Sequence, residues 1–223
     1  MLKKIVVLAN SVKHDPGRCI AGREIVVKND GIGIGPWVRP VSRIGEGELL
    51  PYHFTLEDGT LPQVLDVIEV HVETPGVDQT QPENWYVTEG LAWSRVDRWD
   101  VKMVVDSFAE NPLDVWIQPR AKTDRVTKEY LAASPPQQSL YLIQLQNATI
   151  SSNGKKYRLR FVHSGVSYDL SITDPLISNI TGAAPITIVQ KGLACVSLAP
   201  PFLNRYDGNV YHYKLAAMVI SYG

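Results

Sequence analysis

Two cysteines in 223 residues, Cys19 and Cys195, are too few for a disulfide framework, and they show no CxxC spacing. A reducing compartment is the expectation. No stretch approaches the roughly 20 consecutive apolar residues that a membrane helix needs. The apolar run at 5–9 behind Met1-Leu2-Lys3-Lys4 is too short for a signal peptide, so a cytoplasmic protein is expected. Carboxylate pairs and metal-ligand spacings are lacking as well, and the five histidines, His14, His53, His71, His163 and His212, are scattered. No catalytic residues, metal or cofactor are expected, and no reaction is legible. A βαβ rhythm is also missing, which excludes a parallel α/β sheet.

An excess of charge of one sign is absent in total but not locally. The net charge of −1 resolves into +5 over residues 1–43, −10 over 44–134 and +4 over 135–223. Two basic blocks therefore flank an acidic middle. Brought together they would offer a positive face to a polyanion; kept apart, each would pair with the middle. With 44% hydrophobic residues the chain can bury a sizeable core, as one large domain or two small ones.

What the sequence does contain is short strands with glycine and proline turns between them. Residues 5–9 read as a buried strand. Lys13-His14-Asp15-Pro16-Gly17-Arg18-Cys19-Ile20-Ala21-Gly22-Arg23 follows, read either as cations gathered on a backbone that Gly17 and Gly22 leave open to an anion or as a glycine-rich turn whose arginines are solvated or paired with Glu24 and Asp15. Residues 25–28 form a short strand ended by the turn Asn29-Asp30-Gly31. Gly31 to Gly35 mimic a dinucleotide fingerprint, but Pro36-Trp37-Val38-Arg39-Pro40 stands where a helix should open, so a loop is expected there. Trp37 either anchors that loop in the core or offers a stacking face. Strands are expected at 52–56 and 64–72, the second with Asp66, Glu69 and His71 outward and a bulge near Ile68. Val96, Trp99, Met103, Val104 and Phe108 recur at helical intervals, giving one helix stopped by Asn111-Pro112.

Residues 119–138, ending in Ser134-Pro135-Pro136-Gln137-Gln138, read as a polar linker. Beyond it lies the clearest hairpin. Residues 141–146 alternate, Asn153-Gly154 supplies a turn, and Tyr157, Leu159 and Phe161 alternate with Lys156, Arg158 and Arg160. Period two sets three apolar side chains on one face and three cations on the other, where they meet an anion, a neighbouring carboxylate or only solvent. Strands follow at 168–173, 186–189 and 193–198, and the run 211–220 reads as a strand or a short helix. The fold class expected is mainly β: two small barrels in tandem with one connecting helix, residues 1–125 and 126–223.

The combination of Asn10-Ser11-Val12-Lys13, Gly17-Arg18-Cys19-Ile20-Ala21-Gly22, Trp37-Val38-Arg39-Pro40-Val41-Ser42, Pro82-Glu83-Asn84-Trp85 and Tyr213-Lys214-Leu215-Ala216-Ala217 resembles the dual OB-containing domain family of bacteria. The resemblance implies two OB-fold units and a nucleic-acid-binding role, in a family associated with bacterial defence and conflict systems. Phosphate contacts are then expected from Lys13, Arg18, Arg23 and Arg39 in the first unit and Lys156, Arg158, Arg160 and Lys214 in the second, with Trp37 and Tyr213 stacking on bases. The partner expected is nucleic acid, single-stranded DNA or RNA, with a partner protein of the same system and no membrane. Two other classes stay open. A nucleotide sensor or thiol enzyme would use Cys19 beside Arg18, with His14 nearby; a scaffold would bind protein through a sheet edge.

Overall fold

The computed structural model describes residues 1–12, 16–28, 31–152, 154, 156–180 and 187–222. Sequence expectations for Lys13, His14, Asp15, Asn29, Asp30, Asn153, Pro185 and Ile186 lie outside the described residues. The first compact unit comprises Met1–Asp78 and Pro82–Ala109; the second comprises Gln79–Gln81 and Glu110–Gly223.

The first unit runs β1 (Leu2–Val12), β2 (Arg18–Lys28), β3 (Gly31–Val41), helix α1 (Pro51–Phe54), β4 (Asp66–Pro75), β5 (Asn84–Val87), β6 (Ser94–Arg98) and helix α2 (Val101–Phe108). Its strands pair in the order β1-β2-β3-β5-β4, and β4 returns to β1 to close a five-stranded barrel, with β6 added at β4. β3 and β5 are parallel; the other barrel pairs are antiparallel. Ile5, Val7, Ile20, Val38, Ile68, Val70, Val72 and Trp93 fill the interior. Closure needs β1 and β2 to approach closely at one point. A Cβ on Gly22 would stand 2.1 Å from the Val6 carbonyl oxygen, so only glycine fits there.

The second unit runs β7 (Arg125–Thr127), helix α3 (Lys128–Ala133), β8 (Leu140–Ser152), β9 (Tyr157–His163), β10 (Val166–Ile172), helix α4 (Pro175–Ser178), β11 (Thr187–Leu203) and β12 (Val210–Ser221). The order β10-β9-β8-β11-β12, closed by a parallel β10–β12 contact, repeats the first barrel's connectivity strand for strand. In each barrel, in chain order within the unit, the third strand meets the fifth in parallel and the fourth meets the first. This is the five-stranded OB arrangement. Leu145, Leu159, Phe161, Tyr168, Leu170, Val196 and Leu198 belong to its core. The expectation of two tandem OB-like barrels holds, and residues 211–220 are strand.

Several local expectations change. Residues 31–35 are strand, not loop, because they complete the hairpin with β2 from Ile25↔Ile34 to Lys28↔Gly31. Residues 52–54 are helical: Pro51 supplies the first helical position, and His53 Nδ1 accepts from the Leu50 amide at 2.9 Å. The helix begins at Val101 rather than near Val96, since residues 94–98 are drawn onto β4 and Asp100 caps the Met103 amide at 2.8 Å. Asp66 is buried, not outward; its carboxylate takes Arg98 at 2.5 Å, Arg95 at 3.5 Å and the Gln63 amide at 2.8 Å. The bulge near Ile68 is present as a register shift at Val67/Ile68. Residues 119–138 are no linker. β7 pairs with β12, and Val126 and Leu131 lie in the second core. The first unit accordingly ends at Ala109 and not at 125, because Val115 and Trp116 pack in the second core and Glu110 bridges Ile143. No helix among the described residues is long and apolar enough to cross a membrane.

Candidate nucleic-acid interface

In an OB barrel the outer face of the second and third strands and the loops joining strands one to two and four to five receive oligonucleotides. In the first unit that face is β2–β3, which carries four of the residues singled out from sequence. Arg18 opens β2 half-buried, its main chain bridged to Leu49 and its Nη1 donating to the Gly17 carbonyl at 3.4 Å. Arg23 donates Nε to the Gly35 carbonyl at 2.9 Å and lies over the Trp37 ring at 5.7 Å. Trp37 is 4% exposed, so it anchors the strand in the core and has no open face for a base. Arg39 is not a phosphate contact: its Nη2 stands 3.0 Å from Glu83 Oε1, with the two side chains 5% and 4% exposed.

Other cations of the first block are also paired. Lys3 meets Glu24 at 2.9 Å and the Trp85 ring at 4.4 Å, Lys4 meets Glu69 at 3.2 Å, and Arg43 meets Glu73 at 3.1 Å. Much of the first basic block is thus neutralised, in part by the acidic middle. The openness read into Gly22 admits the neighbouring strand's carbonyl rather than an anion. Cys19 sits half-buried on β2 opposite Ser11. Among the described residues no group of three His, Cys, Asp or Glu side chains could hold a metal ion.

The second unit keeps its cations on the equivalent face, β9–β10. Tyr157, Leu159 and Phe161 point into the core, which forces Arg158 and Arg160 outward. The register sets Arg158 opposite Ser171 and Arg160 opposite Asp169. Arg158 Nε donates to Asp169 Oδ1 at 2.7 Å, and its Nη1 donates to Ser171 Oγ at 2.7 Å. Among the described residues Arg160 donates Nε alone, to Asp169 Oδ2 at 3.1 Å, and it is 58% exposed. One carboxylate therefore steadies two guanidinium groups and leaves the row net positive. Partial burial would raise the Asp169 pKa; the hydrogen bonds from Arg158 and Arg160 override that and hold it below its ordinary value. Lys156 is exposed immediately before the same strand, at the end of the loop that joins β8 to β9.

Lys214 is not on this surface. It is 1% exposed, its ammonium 5.5 Å from the Tyr168 ring centroid and without a hydrogen-bond partner among the described residues. Burial lowers its pKa to about 8, against the pull of Asp114 and Asp124. Its neighbour Tyr213, expected from sequence to stack, alternates to the outside and belongs to an aromatic ribbon. Phe202 stands opposite Tyr211, and Tyr213 opposite Arg125. The Arg125 guanidinium carbon lies 5.2 Å and 4.9 Å from the Tyr211 and Tyr213 ring centroids. Phe202 meets Tyr213 edge-on at 6.2 Å, and Tyr206 at the hairpin tip is fully exposed. The signal was there: four aromatic residues within 202–213 flank the turn residues Asp207-Gly208. Arg125 had none, since its cross-strand partner lies 88 residues away.

The family model for dual OB-containing domains matches residues 3–219. No curated protein matches in sequence. Among solved structures the chain is similar to the p204 HINb domain, at 9% identity over 99% of this chain and 97% of that one, with a TM-score of 0.35. It is also similar to the tetrameric p202 HIN2 (11% identity, 99% and 92% covered, TM-score 0.31) and to a murine DNA binding protein bound with ds DNA (10%, 98% and 98%, 0.31).

Proposed function

The chain belongs to the dual OB-containing domain family, and from that premise we propose that it binds nucleic acid, chiefly through the β9–β10 face of its second barrel. The observation that carries this reading is the outward pair Arg158 and Arg160, with Lys156 just before them, set on the strands where OB barrels take oligonucleotides; among the described residues the two arginines share the one carboxylate of Asp169. Arg160, the more exposed of the two, makes the first phosphate contact; Arg158, tied to Asp169 and Ser171, supplies field and position. The first barrel contributes Arg18 and Arg23 in a secondary role.

The partner is single-stranded DNA or RNA, because an OB groove tracks one phosphate backbone and reads unstacked bases. The family resemblance supports an accessory role in a bacterial defence system, alongside a partner protein. Gel-shift titration of single- and double-stranded DNA and RNA at two salt concentrations tests the reading. Single strands bind tightest, affinity falls steeply with salt, and Arg160→Glu weakens it. Salt-insensitive binding, or an Arg160→Glu variant with unchanged affinity, overturns it.

A further inference from the structure

We propose that the outer face of the β11–β12–β7 ribbon is a stacking platform for unpaired nucleobases, built from Phe202, Tyr206, Tyr211, Tyr213 and Arg125. The inference rests on the nucleic-acid reading above and assigns the part of the ligand that this face takes. Directly opposed residues on antiparallel strands project to the same side. Phe202 with Tyr211, and Tyr213 with Arg125, therefore share one face, while His212 and Val126 between them turn inward and are buried. The aromatic side is the outer one. Phe202 is 61% exposed and Tyr206 wholly so, a large apolar area to leave in water on one hairpin.

Two of the rings, Tyr211 and Tyr213, are held in place by their hydroxyls. The Tyr211 hydroxyl donates to Asp207 Oδ2 at 3.1 Å and accepts from Asn209 Nδ2 at 3.3 Å. The Tyr213 hydroxyl accepts from Asn204 Nδ2 at 3.2 Å and from Arg125 Nη1 at 3.4 Å. Fixed rings lose little freedom when a ligand stacks on them. Charge then separates bases from phosphates. Arg125 is already paired with Asp124 at 2.9 Å, and at the turn the exposed Arg205 is balanced in charge by Asp207, so the hairpin is close to neutral. A flat neutral ring suits it, and every base offers one whatever the sequence. β12 links the two regions of the unit: it pairs with β10 at Ser171↔Leu215, beside the hydroxyl that Arg158 holds, and carries Tyr213 two residues earlier. Phosphates on the arginine row and bases on the ribbon are thus served by adjoining strands.

The test compares fluorescence-labelled oligothymidylate of about twelve nucleotides with an abasic deoxyribose-phosphate oligomer of equal length and charge, using the full chain. Native protein prefers the oligothymidylate by about tenfold or more, the size of one or two stacked bases. Phe202→Ala combined with Tyr206→Ala, both exposed positions, abolishes that preference and leaves abasic binding unchanged; Phe202→Trp retains it. Equal binding of the two oligomers by native protein, or a preference that survives the double substitution, overturns the platform while the phosphate reading stands. Failure of both oligomers to bind overturns the nucleic-acid reading and this inference with it.

Discussion

The Lys214 ammonium lies 5.5 Å from the centroid of the Tyr168 ring, closed off from solvent and without a hydrogen-bond partner among the described residues. The ring face gives some attraction, and Asp114 and Asp124 add long-range help, but none of these replaces lost hydration. Burial therefore lowers the pKa to about 8 from the ordinary 10.5. In the window between those values the unfolded chain binds the extra proton, so stability rises with pH across it. Below about pH 8 the full penalty applies, on the order of 3 kcal/mol.

Lys214→Met should consequently raise the melting temperature at pH 7, and the gap to native protein should close between pH 8 and 10.5. Paired thermal melts across that range measure it. Parallel profiles for the two proteins would show that the buried amine carries no such penalty.

Arg39 and Glu83 form the opposite case, a buried cation that faces a carboxylate, with Arg39 Nη1 also 3.5 Å from Asn84 Oδ1. Arg39→Ala removes the guanidinium that faces the buried Glu83 carboxylate and should cost about 3–5 kcal/mol in denaturant unfolding. At temperatures where the variant remains folded, its affinity for single strands should match native protein. A loss of affinity without a loss of stability would return Arg39 to the binding surface.

Gly22→Ala places a methyl group 2.1 Å from the Val6 carbonyl oxygen, where only backbone could yield. The strand pair must part, at a cost of about 3 kcal/mol, the upper end for overpacking. Urea unfolding that places Gly22→Ala within error of native protein would contradict the close approach.

The barrels were legible because their strands alternate in the ordinary sense, apolar in and polar out, as at Tyr157–Arg158–Leu159–Arg160–Phe161. That same rule hid Lys214. On β12 the outward residues are Tyr211 and Tyr213, while His212 and Lys214 point in, so reading polar as outward inverts the strand. Asp66 was misplaced for a related reason: its partners Arg95 and Arg98 come from a strand some thirty residues on that resembled a helix by periodicity alone. Arg39 is locked by Glu83 through a parallel strand contact with no local signal in sequence. Patterns within one strand were readable; partners supplied by another strand were not.

Asp169 decides how much positive charge the β9–β10 face presents. Its two carboxylate oxygens accept from Arg158 at 2.7 Å and Arg160 at 3.1 Å, so it both positions the row and subtracts one charge from it. Asp169→Asn keeps an oxygen acceptor and removes the charge. Stability should fall by about 1 kcal/mol, the worth of a partly exposed charged hydrogen bond. Single-strand affinity should rise, and the slope of log K against log salt should steepen by about 0.7, one further phosphate neutralised. Equilibrium titrations at four or five salt concentrations give both quantities. Weaker binding by a folded Asp169→Asn variant would mean that geometry outweighs charge on this face, and that the arginines act by their fixed orientation and not by their field.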